Sequence, residues 1–175
     1  MSTDPAPTPA SAQLGTGLLD GPFDGRDAFR QQVRDALACA AAQRWPHLVL
    51  SDASFEDWPL GESAVVESLH AWARVGRQFT MLAVGYDGLV RHHARFVAWR
   101  QTWSHLVDCR RCRSDDPLSF PSILWSDAWC LRRVDAQRSR GVAGHEPARR
   151  VALREMLDGC LLRSTPGFAA STLGL

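Results

Sequence analysis

Between residues 24 and 163, stretches with apolar residues at helical spacing alternate with short runs of consecutive apolar residues. That alternation constrains the fold more than any other feature of the sequence. Phe29, Val33, Ala36, Leu37 and Ala40 form one stripe of a helix expected from about Gly25 to Arg44, with Asp24 as its N-cap. Trp45-Pro46 stops it, and His47–Ser51 reads as a strand buried on both faces. After a loop holding Glu56-Asp57-Trp58-Pro59, the spacing predicts a helix from Glu62 to Val75, ended by Gly76, and then a buried strand from Gln78 to Val84. Leu89–Trp103 reads as a third helix, with His92, Phe96, Trp99 and Trp103 on one face and Arg91, Arg95 and Arg100 flanking it. His105–Arg111 is a third strand. Phe120–Trp125 and Trp129–Val134 form a hairpin about Ser126-Asp127-Ala128, and Asp135–Glu146 is a polar loop. Pro147 opens a last helix reaching about Arg163. Strands alternating with helices predict a mixed, mainly parallel sheet with helices on both faces, the hairpin adding antiparallel strands.

The chain has 175 residues, 45% of them hydrophobic. This suits one α/β domain over residues 23–175, preceded by a Pro/Ala-rich tail, residues 1–22, expected to be disordered. A formal charge of +1 lacks the cationic excess of a general nucleic-acid or anionic-membrane binder. All 20 basic residues are Arg, so Schiff-base chemistry, lysine general bases and Walker-A phosphate binding are excluded. No apolar run approaches the length of a membrane span, and the ends lack a secretory pattern, so a cytoplasmic protein is expected.

The five cysteines, Cys39, Cys109, Cys112, Cys130 and Cys160, sit in apolar contexts and read as small buried hydrophobes. Cys109-Arg-Arg-Cys112 lies on a strand rather than at the start of a helix, which argues against a thioredoxin-like motif. It lacks a second ligand pair for zinc, because adjacent His92 and His93 point in different directions on a helix. No metal and no cofactor are expected.

The order of elements, ending in strand, hairpin and helix, resembles one half of the phospholipase D superfamily. The family motif is His, any residue, Lys, four residues, then Asp. Phe120-Pro121-Ser122-Ile123-Leu124-Trp125-Ser126-Asp127 matches it in length and apolar pattern. The resemblance places Phe120 at the nucleophilic His position, Ser122 at the Lys position and Asp127 at the Asp position. A phenyl ring neither attacks phosphorus nor carries a proton, so the resemblance implies a half-domain without its catalysis. The chain is also similar to a family of uncharacterised bacterial proteins with runs like Arg95-Phe96-Val97-Ala98-Trp99-Arg100 and Thr172-Leu173-Gly174-Leu175.

Three functions follow as expectations. The first is a non-catalytic domain acting through a protein partner or as a homodimer, with Trp58, the apolar tail Phe168–Leu175 and the Arg-flanked helix as contact pieces. The second is a phosphodiesterase-type or nucleotide-handling enzyme whose Arg95, Arg100, Arg111 and Arg132 hold phosphate, with His92, His93 or His105 as base. The third, opposed by the neutral charge, is binding of single-stranded nucleic acid by the Arg/Trp helix.

Overall fold

The computed structural model describes residues 17–169. Eight strands form one sheet in the order β1-β7-β6-β5-β2-β3-β4-β8. They are β1 (Gly21–Phe23), β2 (His47–Ser51), β3 (Gln78–Ala83), β4 (Val107–Arg111), β5 (Ser122–Ser126), β6 (Cys130–Asp135), β7 (Arg140–Gly144) and β8 (Thr165–Pro166). The helices are α1 (Arg26–Ala42), α2 (Ser63–Ala73), α3 (Asp87–His92), α4 (Ala94–Thr102) and α5 (Pro147–Leu162).

The sheet is mainly antiparallel, which corrects the mainly parallel expectation. Only β2–β3 and β3–β4 pair in parallel, joined by helical crossovers as the alternation requires. β5 enters beside β2 in the opposite direction, β5–β6–β7 is a meander, and β1 and β8 close the edges antiparallel. β7 lies within the segment expected to be a loop. Its Arg-Gly-Val-Ala-Gly composition hides it, because glycine is weak in strands. Within the segment 1–22, Gly21 and Pro22 join Phe23 in β1, and Leu18 and Leu19 pack on the core.

Helices cover both faces of the sheet. On one, α1 and α2 pack together and α4 joins α2. The core there includes Phe29, Val33, Leu37, Trp58, Leu69, Trp72, Phe79, Phe96 and Trp99. On the other, α5 lays Leu153, Leu157 and Cys160 on Val49, Leu82, Ile123, Trp125 and Cys130. Trp58 is fully buried, edge-on to Phe29 at 5.3 Å and to Phe55 at 5.1 Å, so it is a core residue and not an exposed contact piece.

Three local differences bear on the site. The third helix is broken in two at His93, whose Nε2 is 2.9 Å from the carbonyl of Phe55, and His92 points to solvent rather than sharing the buried face. The α1 N-cap is Gly25, at φ 98°, a backbone conformation that suits glycine; Asp24 instead pairs with Arg140 at 3.0 Å. β5 begins at Ser122, after a short 3₁₀ turn over Pro117–Ser119, so Phe120 precedes the strand.

Candidate functional site

β2 is the switch point of the sheet, with parallel β3 on one side and antiparallel β5 on the other. In α/β sheets such a point leaves a crevice at the carboxyl ends of the parallel strands. Here a cleft of about 560 Å³ opens at that end. Its walls include Arg26, Asp52, Asp57, Phe120, Ser122 and Arg133. Asp52 follows β2, Ser122 opens β5, and Arg133 lies directly opposite Ser122 on β6.

A closed polar network fills the floor. Ser122 Oγ donates to Asp52 Oδ2 at 2.7 Å and accepts from Arg133 Nε at 3.1 Å. Arg133 Nη2 donates to Asp52 Oδ2 at 2.8 Å, and its Nη1 donates to Asp57 Oδ2 at 2.5 Å. The backbone N–H groups of Ser54 and Phe55 donate to Asp52 Oδ1 at 3.1 and 2.9 Å. Asp52 therefore accepts four hydrogen bonds, about as many as a carboxylate has lone-pair sites. Arg133 is 5% exposed and lies 4.3 Å over the ring of Phe29. Burial works against its charge, but the Asp57 and Asp52 carboxylates more than offset that and raise its pKa above the ordinary value. The floor is thus a satisfied ion pair with a hydroxyl clamped inside it.

Phe120 and Ser122 both line this cleft. The Phe120 ring, 9% exposed, also packs into the apolar cluster beneath α5. Asp127 does not join them. The length of β5 separates it from Ser122, and its carboxylate meets His47 Nδ1 at 2.8 Å while its carbonyl accepts from Arg150. The hairpin turn is held by Ser126 Oγ, which accepts from the N–H of Trp129 at 2.9 Å, and not by Asp127.

The four arginines named from the sequence are dispersed. Arg95 Nη1 donates to the carbonyl of Gly61 at 3.2 Å. Arg100 is buried, with Nε on Cys109 Sγ and Nη2 on the carbonyl of Phe168, both at 3.2 Å. Arg111 Nε donates to the carbonyl of Val84 at 3.1 Å. Arg132 is half-buried on β6, paired across strands with Ile123 and Val142. Of the histidines, His92 meets Glu56 at 3.2 Å, His93 is buried and His105 is exposed beside the Trp103 ring. Burial holds the His93 pKa below its ordinary value, and neighbouring His92 and Arg30 push the same way.

Asp52 and Arg133 went unnoticed in the sequence, although one signal for Arg133 was present. Strand alternation puts Leu131 and Arg133 on the same face, and Leu131 is core, so Arg133 had to point inward and find carboxylates. Asp57, in the loop after β2, is one of them. Cys109, Cys112, Cys130 and Cys160 are buried and Cys39 is half-buried, and burial raises the Cys109, Cys112 and Cys130 thiols to about 11. Among the described residues, no three His, Cys, Asp or Glu side chains gather to hold a metal ion, and no helix is long and apolar enough to cross a membrane.

No family model and no curated protein matches the chain. Solved structures do. One is TrmBL2, an archaeal chromatin protein with a novel mode of DNA binding: TM-score 0.62, 9% identity, 89% of this chain covered. The chain spans only 57% of TrmBL2's length. Another is Nuc from Salmonella typhimurium, a phospholipase D family member: TM-score 0.55, 10% identity, 85% of this chain and 98% of that one covered. At such identities the likeness is one of fold, and the fold is phospholipase D-like.

Proposed function

We propose that this chain is a non-catalytic phospholipase D-like half-domain that acts through protein contact, pairing with a second copy of itself. One observation carries the loss of catalysis. At the two motif positions that line the cleft stand a phenyl ring and a hydroxyl, and the hydroxyl is clamped between Asp52 and Arg133. An attacking group must be free to move onto phosphorus, and a general base must have a lone pair free for the proton. Ser122 is 3% exposed, and Asp52 already accepts four hydrogen bonds. Self-association is supported by Leu118, 68% exposed on the cleft rim, and Val134, 69% exposed next to Arg133. An odd cysteine count in apolar contexts fits a cytoplasmic location.

Two measurements test this reading. Hydrolysis of bis(p-nitrophenyl) phosphate should stay at the buffer rate, and turnover that disappears in Ser122→Ala would overturn the non-catalytic assignment. Light scattering at micromolar concentration should give a dimer that Leu118→Glu dissociates; a monomer overturns the pairing. DNA binding is the second reading, favoured by the likeness to TrmBL2 and opposed by the charge of +1. A labelled oligonucleotide at low salt separates the two.

A further inference from the structure

Cys109 and Cys112 are close in sequence, but the sheet separates them. Cys109 packs in the α1-side core and Cys112 in the cluster beneath α5. The sulfur partners of Cys112 come instead from α5, whose last two turns place Met156 and Cys160 four residues apart on the face that carries Leu153 and Leu157. Cys112 follows the end of β4, held in line by its N–H donating to the Ala83 carbonyl at 2.8 Å. Its thiol donates to the Cys160 carbonyl at 3.8 Å, a contact that brings the end of β4 against α5. No disulfide joins the two residues.

Cys112, Met156 and Cys160 therefore line one cleft, of about 420 Å³, together with Phe120, Arg113 and Arg163. Burial opposes charge on either thiol, and charge on Cys160 would oppose charge on Cys112 further, while Arg163 favours the charged form of both. A cation between the sulfurs removes that conflict, because a coordinating thiol gives up its proton outright. The donors also select the cation. Two thiols and a thioether are soft and suit Cu(I), whereas zinc asks for a closed set of four ligands. Among the described residues no three His, Cys, Asp or Glu side chains gather to begin such a set.

We propose that Cys112, Met156 and Cys160 bind one Cu(I) ion between the end of β4 and α5. Two Cu–thiolate bonds and one thioether bond form, two S–H bonds break, and both protons pass to the solvent. The oxidation state of the metal does not change. The bound site carries one negative charge beside Arg163, and the rest of the cleft is the ion's path of entry. The site needs neither self-association nor a particular state of Ser122.

The test titrates the reduced full chain, without oxygen, with Cu(I) supplied as its bicinchoninate complex. The expected result is withdrawal of one Cu(I) per chain from the chelator, with an X-ray absorption spectrum that shows only sulfur around the metal. Cys112→Ser and Cys160→Ser should each lower the affinity by roughly 100-fold, the upper end of what even an outer-shell change costs, and Met156→Leu by roughly tenfold. Met156→Leu nearly conserves volume, so its fold should persist even where a serine variant fails to fold. Cys39→Ser, on α1, should leave the affinity unchanged. Failure to compete with the chelator, nitrogen or oxygen bound to the metal, unchanged affinity in Met156→Leu, or Zn(II) held by the same three side chains would each overturn the proposal. Light scattering and diester hydrolysis read the proposed function separately, so the failure of one reading is distinguishable from failure of the other.

Discussion

Arg133 can stay inside because its guanidinium is met by two carboxylates, the Ser122 hydroxyl and the Phe29 ring. Removing it would strand Asp52, whose side chain is 7% exposed, and Asp57 at 29%. Breaking a buried pair from one side costs about 3–5 kcal/mol. We therefore expect Arg133→Met to lower the urea-unfolding free energy by about that much, and Asp52→Asn in the same background to recover part of it. A loss below about 1 kcal/mol would mean that the network is not holding the cleft floor. Ser122→Ala leaves the ion pair intact and should cost about 1 kcal/mol. His93 gives a pH signature. Its pKa in the folded protein lies below the ordinary 6.5 because it is buried. The unfolded state then binds more protons below that value, so stability is full above pH 6.5 and falls as the pH drops towards the folded pKa. The charged groups around it are Arg30 from α1, His92 from α3, Glu62 at the start of α2, Arg95 on α4, and Glu56 and Asp57 from the loop after β2. Glu62 is separable, because its hydrogen bond from Arg34 holds its pKa below 4.5, so its contribution is lost only at lower pH. His93→Gln should flatten the loss that sets in as the pH falls below 6.5 while leaving the more acidic limb in place.

At the scale of elements, β7 is admitted to the sheet by a close approach. A Cβ at Gly141 would sit 2.1 Å from the Arg132 carbonyl oxygen and 2.5 Å from the Phe23 ring. The carbonyl is backbone and cannot swing aside, so Gly141→Ala should cost about 2–3 kcal/mol. It should also loosen β1, raising hydrogen exchange at Gly21–Phe23 before the rest of the sheet opens. Uniform exchange across β1 and β5 would contradict this. The same strand shows where sequence reading ran out. α1, α2, α5 and β2 to β5 were legible because long periodic stripes and apolar runs mark elements with a buried face. β7 was not, since its two glycines and half-buried positions carry neither signal. Strand direction was misjudged because alternation fixes only β2, β3 and β4, where helices intervene; nothing local states that β5 enters beside β2 and reverses the sheet. The cleft was half legible. Phe120 and Ser122 were found through the motif, whereas Asp52 and Asp57 met Arg133 only through pairing across β2, β5 and β6, contacts more than seventy residues apart in the chain.

At the scale of the whole molecule, the sheet ends on two short strands drawn from the ends of the described chain. β8 covers β4 only at Arg110 and Arg111, with Gly167 N–H donating to the Cys109 carbonyl at 2.9 Å. Phe168 stacks on Tyr86 at 5.2 Å and accepts from Arg100, so this segment straps the edge as well as pairing with it. Thr172-Leu173-Gly174-Leu175 and the rest of the expected contact tail after Ala169 lie outside the described residues. Truncation after Arg163 would bare the β4 edge and unstack Tyr86. The stack is worth about 0.5–1.5 kcal/mol, and the bared edge offers a template for pairing with other chains. The expected outcome is a lower thermal midpoint with growing aggregates in light scattering, while the α1-side core still gives a cooperative transition. Adding back a peptide of residues 164–175 should suppress the aggregates. An unchanged midpoint and an unaltered association state in the truncated chain would show that β4 needs no cover.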